Sequence, residues 1–204
     1  MAMRMLFPLL LLTATSTLGF GRTPVPTGSD GGTLDRSVGA PAAESVIFDF
    51  SKDADLRGWE IEDDVVMGGR SEGKFSINDE GHAVFSGNVS LENNGGFSSL
   101  QRYFGPLDVS RFRTVHIRLK GDGKAYQFLV EASRSDRHYY AYEFQTGTDW
   151  RTVKIPLSDM KPFFRGDRLD IPNFPGREMA QVRLMVANKK AEPFRLEVDK
   201  IWLE

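Results

Sequence analysis

The residues able to take part in chemistry fall into a few local groups. Asp63-Asp64, beside Glu60 and Glu62, leads directly into Val65-Val66-Met67-Gly68-Gly69-Arg70-Ser71. Paired carboxylates can do acid–base work or give oxygens to a hard cation, and Asp53 with Asp55 offers a second acidic pair. The simpler reading is an acidic turn in which Asp64 hydrogen-bonds the backbone of the Met67-Gly68-Gly69 loop. A second glycine-rich stretch, Asn93-Asn94-Gly95-Gly96-Phe97, follows further along the chain. Each Gly-Gly pair admits positive φ or close backbone approach, and short polar side chains precede each, so two deliberately shaped loops are expected.

Several chemistries are excluded by inventory. His82, His116 and His138 are dispersed, which supplies neither a metal trio nor a nucleophile–base pair. The chain has no cysteine, so disulfides, thiol catalysis and cysteine-held zinc or iron–sulfur sites are ruled out. Gly121-Asp122-Gly123-Lys124 lacks the helix that a phosphate-binding loop requires and reads as a hairpin turn. No catalytic residue, metal ligand or cofactor is therefore assigned. Lys plus Arg total 26 against 28 Asp plus Glu, and the formal charge of -2 leaves no footprint for nucleic acid or an anionic membrane.

Sugar recognition needs an aromatic platform and planar polar groups. Trp59, Trp150, Tyr126 and Tyr139, with Arg102, Arg118, Asn93 and Asn94, supply those types, although alternating aromatics also suit a sandwich core. Arg118 with Gln127 and Glu131 fits a cross-strand charge ladder equally well.

The elements that must position these residues begin after an N-terminal preamble. Residues 1–21 carry Arg4, an apolar run from Met5 to Leu12 and then small residues, the layout of a signal peptide. That run is too short to span a bilayer. Export to a periplasmic or extracellular space is expected, with a mitochondrion or other organelle as the alternative. Residues 22–44, rich in Gly, Pro, Ser and Thr, are expected to form a disordered linker.

Residues 45–204 then show short apolar alternations separated by turn residues, and no long amphipathic helix, which predicts an all-β domain. Val115, Ile117 and Leu119 alternate up to Gly121-Asp122-Gly123, and Tyr126, Phe128 and Val130 continue as a hairpin partner in a meander ending at Trp150 to Pro156. The phase shift from Val198 to Ile201 predicts a bulge. Leu157 to Gly176, with three prolines, reads as an irregular packed connection. Many short strands favour a jelly-roll β-sandwich, in which each sheet buries one face.

Trp59, Asp64, Met67-Gly68-Gly69, Ser71, Phe85-Ser86-Gly87, Asn93-Asn94-Gly95-Gly96-Phe97, Gly121-Asp122-Gly123, Trp150 and Pro193-Phe194 stand in an order that resembles the complex I intermediate-associated protein 30 family. The resemblance implies a galactose-binding-domain-like jelly roll and a non-catalytic, chaperone-like role in assembling a membrane complex of the respiratory complex I type. The candidate partner- or ligand-binding residues are Trp59, Asp64, Met67, Gly68, Gly69, Asn93, Asn94, Gly95, Gly96, Phe97 and Arg102. The resemblance implies that the partner is a protein undergoing assembly; the alternative, read from the aromatic residues, is a carbohydrate-binding module with Trp59 or Trp150 as its platform. In this expectation Asp64 holds the first loop, while Phe97 and Arg102 offer an apolar and a cationic contact. An exported copy would meet such a complex on the face opposite its matrix-side arm.

Overall fold

In a computed structural model, residues 44–204 are described. The expected signal peptide and nearly all of the expected linker lie outside them. Glu44, the last linker residue, pairs its carboxylate with Lys200 Nζ.

The described chain is built of thirteen strands joined by turns and three short 3₁₀ segments. In order these are β1 (Ser45–Asp49), β2 (Trp59–Asp63), β3 (Glu72–Ile77), β4 (Ala83–Val89), β5 (Ser98–Asp108), β6 (Thr114–Lys120) and β7 (Ala125–Glu131). There follow β8 (Tyr139–Gln145), β9 (Arg151–Pro156), β10 (Lys161–Phe164), β11 (Asp167–Arg168), β12 (Glu178–Val186) and β13 (Glu192–Leu203). One sheet runs β3-β4-β13-β6-β9, with β1 also paired to β13; the other runs β11-β10-β8-β7-β12-β5-β2. The pairings are antiparallel.

Alternation explains why the two sheets stack. Val115, Ile117 and Leu119 of β6 and Leu196, Val198, Ile201 and Leu203 of β13 are fully buried on one inner face. Tyr126, Phe128 and Val130 of β7 and Val182, Leu184 and Val186 of β12 oppose them from the other. Both inner rows repeat with period two, so each sheet removes one face from water, the dominant favourable term in folding. The architecture is the expected all-β jelly-roll sandwich. The predicted bulge is present, since the β13–β6 register shifts between Val198 and Lys200.

Three local expectations are corrected. Gly121-Asp122-Gly123 is not a hairpin turn: β6 and β7 lie in different sheets, so the turn carries the chain across the sandwich. Asp122 stabilises that crossing by accepting hydrogen bonds from Lys124 Nζ at 2.8 Å and from the backbone N–H of Arg195 at 3.0 Å. The meander fails for the same reason, because β9 returns to pair with β6. Leu157 to Gly176 is not wholly irregular either, since β10 pairs with β8 and begins with Lys161 opposite Ala141.

Candidate functional site

The two glycine loops meet around the carboxylate of Asp64. This residue follows β2 and opens a 3₁₀ segment, Asp64–Met67, whose end at Gly68 adopts φ 89. Only glycine takes that left-handed conformation without steric cost. Asp64 is 1% exposed. Its Oδ1 accepts from the N–H of Ser71 at 3.0 Å, and its Oδ2 from Ser71 Oγ at 2.5 Å. The same Oδ2 accepts from the N–H groups of Gly96 at 2.6 Å and Phe97 at 3.2 Å. One side chain thereby joins residues 64–71 to residues 96–97. Burial alone would raise its pKa, but the bonds from Ser71, Gly96 and Phe97 outweigh that and hold it below the ordinary carboxylate value.

The glycines follow from this carboxylate. A Cβ on Gly69 would lie 2.1 Å from Asp64 Oδ1, and one on Gly95 would lie 2.6 Å from Oδ2. Further ties close the loops: Ser71 Oγ accepts from the N–H of Ser90 at 3.0 Å, and Asn93 Nδ2 donates to the carbonyl of Gly68 at 3.0 Å. Arg70 and Glu92 form an exposed ion pair at 3.2 Å. Asn93 and Asn94 hold φ 55 and 62, a region that short polar side chains tolerate better than most. The fixed loops present Val65 and Leu91, exposed by 58% and 45%, as apolar tips.

A model of the complex I intermediate-associated protein 30 family matches residues 48–198, which contain both loops and nearly all of the sandwich. The chain belongs to this family. The Mus musculus protein "Complex I intermediate-associated protein 30, mitochondrial" is 26% identical over 182 residues, covering 76% of this chain and 55% of its own length. The chain thus spans about half the length of that curated relative. Among solved structures, the family 11 carbohydrate-binding module of a Clostridium thermocellum cellulosomal cellulase aligns with a TM-score of 0.57 at 19% identity, over 80% of this chain and 95% of the module. The same family's module in complex with a β-1,3-1,4-mixed-linked tetrasaccharide also gives 0.57 at 19%, over 80% and 96%. At that identity the likeness shows a shared fold.

Within this complex I intermediate-associated protein 30 domain, the expected site residues separate. Asp64, Gly68, Gly69, Asn93, Asn94, Gly95, Gly96 and the backbone of Phe97 come together, with Met67 ending the first turn. Trp59 does not join them. It is buried with its ring 5.4 Å from Phe48, 5.2 Å from Phe50 and 6.2 Å from Phe75, so no face is left for a ligand. Arg102 stands opposite Trp59 on β5 and lays its guanidinium 4.5 Å from the Phe48 ring centre. Phe97, half-buried on the outer face, packs with Leu129, Ala141 and Met185 whereas Arg102 lies against Phe48, so the two side chains sit in different surroundings.

The remaining candidates are engaged elsewhere. Asp63 Oδ2 accepts from the N–H of Gly73 at 2.9 Å, tying the end of β2 to β3. Asp55 grips Arg57 at 2.6 Å, which lowers its pKa to about 2. His82 tilts against Trp150 with ring centres 4.5 Å apart and an interplanar angle of 53°, and the Arg118 guanidinium lies 5.7 Å from the Trp150 ring centre. The proposed ladder of Arg118 with Gln127 and Glu131 is not made: Arg118 pairs with Asp199 at 3.0 Å, on the other sheet. Arg183 of β12, not singled out from sequence, lies between Glu62 at 3.0 Å and Glu131 at 3.9 Å. Its position on the outer face between Val182 and Leu184 was the available signal. Among the described residues no three His, Asp or Glu side chains are grouped to hold a metal ion, and no helix is long and apolar enough to cross a membrane.

Proposed function

We propose that this chain is a non-catalytic binding module, a chaperone-like assembly factor for a membrane protein complex of the complex I type. The observation that carries this reading is the family match across residues 48–198. The geometry supports it: Asp64 fixes two loops whose glycines permit close backbone approach, and whose Val65 and Leu91 tips offer apolar surface beside the Arg70–Glu92 pair. A rigid apolar rim loses little conformational entropy on binding a protein. Both tips are exposed, so replacing them leaves the sandwich core intact.

Compartment is part of the proposal. The layout of residues 1–21 favours export, whereas the mitochondrial name of the mouse relative favours an organelle. Crosslinking an affinity-tagged full-length chain in its own cells, with mass spectrometry of partners and mature N-terminus, tests both. Respiratory-complex subunits captured by the natural chain and lost in the Val65→Glu, Leu91→Glu double variant are expected. An unchanged set of partners in that variant would overturn the loop site.

Glycan binding is a second reading, favoured by the sandwich shared with carbohydrate-binding modules, one of them solved with a tetrasaccharide. Trp59, which is buried among Phe48, Phe50 and Phe75, offers no platform for it.

A further inference from the structure

The outer face of the seven-stranded sheet carries two adjoining depressions, of about 530 Å3 and about 520 Å3. Gln127 of β7 and Glu143 of β8 line both, and they are directly opposed in the strand register. The depressions therefore form one channel running along β7 and β8. At one end stand Lys124, Asn188, Lys189 and Glu192; at the other stand Asp159, Lys161, Phe163 and Asn173. Phe97, held by its backbone to Asp64, packs into the apolar cluster of Leu129, Ala141 and Met185 beside it.

We propose that this channel binds a neutral oligosaccharide chain, resting on the glycan reading and giving it a site away from any tryptophan. Four features select that ligand. β7 is hydrogen-bonded on both sides, to β12 and β8, and β8 on both sides, to β7 and β10. No free strand edge is left in the channel floor, so an added peptide strand cannot be bound through its backbone. The lining instead offers amides and carboxylates, planar groups that can each reach two neighbouring hydroxyls. Ammonium and carboxylate groups are interspersed along it, so no single-sign field favours a charged polymer. Ala141 and Phe163 add apolar surface for the C–H face of a sugar ring, the Phe163 ring lying parallel to Tyr139 with centres 6.1 Å apart.

The test is a titration of the isotope-labelled full chain with β-1,3-1,4-mixed-linked glucan tetrasaccharide, followed by amide chemical shifts. It is accompanied by gel retardation in soluble mixed-linkage glucan, xyloglucan and galactomannan. Saturable shifts confined to β7, β8, β10 and the segments that line the channel ends are expected, with retardation by at least one glucan. Gln127→Ala with Glu143→Ala should weaken binding about tenfold or more, the effect of losing two hydrogen-bonding groups. The Val46→Ser variant, changed at an exposed residue of β1 in the other sheet, should bind as the natural chain does. Binding by the natural chain that persists in the double variant overturns the channel while sparing the glycan reading. No shift and no retardation with any of the four sugars overturns both, as do shifts at these strands given by a casein hydrolysate but not by the sugars.

Discussion

At the scale of single residues, Asp64 governs the loop pair, and its ionisation sets how strongly. A carboxylate held by one hydroxyl and three backbone N–H groups is a charge-assisted cluster, and leaving those donors unpaired costs about 1–3 kcal/mol. Because the folded pKa lies below the unfolded value, this stabilisation is fully present above the ordinary carboxylate pKa of about 3.9 and is lost as pH falls through the folded value. Chemical denaturation of Asp64→Asn should therefore show a deficit of about 1–3 kcal/mol that is level from pH 7 to pH 5 and shrinks in more acid solution. A deficit independent of pH down to acid unfolding would contradict the charge-based account.

Gly69→Ala should be destabilising because its new Cβ meets the Asp64 carboxylate. The cost should fall in an Asp64→Ala background, a coupling that a double-mutant cycle measures directly. Additive costs would mean that the carboxylate is not what excludes a side chain at position 69. The sequence pointed to Asp64 bonding its own loop because Gly68-Gly69 lies next to it. Its bonds to Gly96 and Phe97 were not legible, since they depend on β2 lying against β5, and pairing partners are not written in the alternation of either strand.

Among the elements, strand parity was legible and strand partnership was not. Leu129 illustrates the difference: its odd position on β7 puts it outside the inner layer, as read from alternation, yet it is 2% exposed because its sheet neighbours close over it. The crossing at Gly121-Asp122-Gly123 was misread because a turn signal fixes a reversal of direction without saying which sheet receives the chain.

The β3–β4 pair supplies a test of backbone proximity. Gly73 and Gly87 face each other in register, and a Cβ on Gly87 would lie 1.9 Å from the carbonyl oxygen of Glu72. That neighbour is backbone and cannot rotate away. Gly87→Ala should cost about 1–3 kcal/mol, in the range of overpacked sites, and hydrogen exchange should speed first in residues 72–77. Unaltered protection of that strand would show that the pair opens without penalty.

For the whole molecule, the family relation and the sandwich were both legible, because many motifs kept their order along the chain. The buried state of Trp59 was anticipated only as the plainer of two readings, and its aromatic nest belongs to tertiary packing. Trp59→Ala should cost about 3–5 kcal/mol and lower the unfolding temperature accordingly. Of the three tryptophans, Trp150 and Trp202 are partly exposed, so iodide should quench only a fraction of the native fluorescence. The unquenched fraction should vanish in Trp59→Phe; its persistence would place the shielded indole elsewhere.

The position of β13 also bears on how this protein is made. Residues 192–203 lie between β4 and β6 and also carry β1, so the centre of one sheet is supplied by the last strand described. A ribosome releases β1, β3, β4 and β6 well before the strand that unites them, and those edges wait unpaired with their apolar faces in water. A premature stop before residue 192 would remove the middle of a sheet and not its rim. Newborn copies of this domain expose that unfinished sheet until residues 192–203 have left the ribosome.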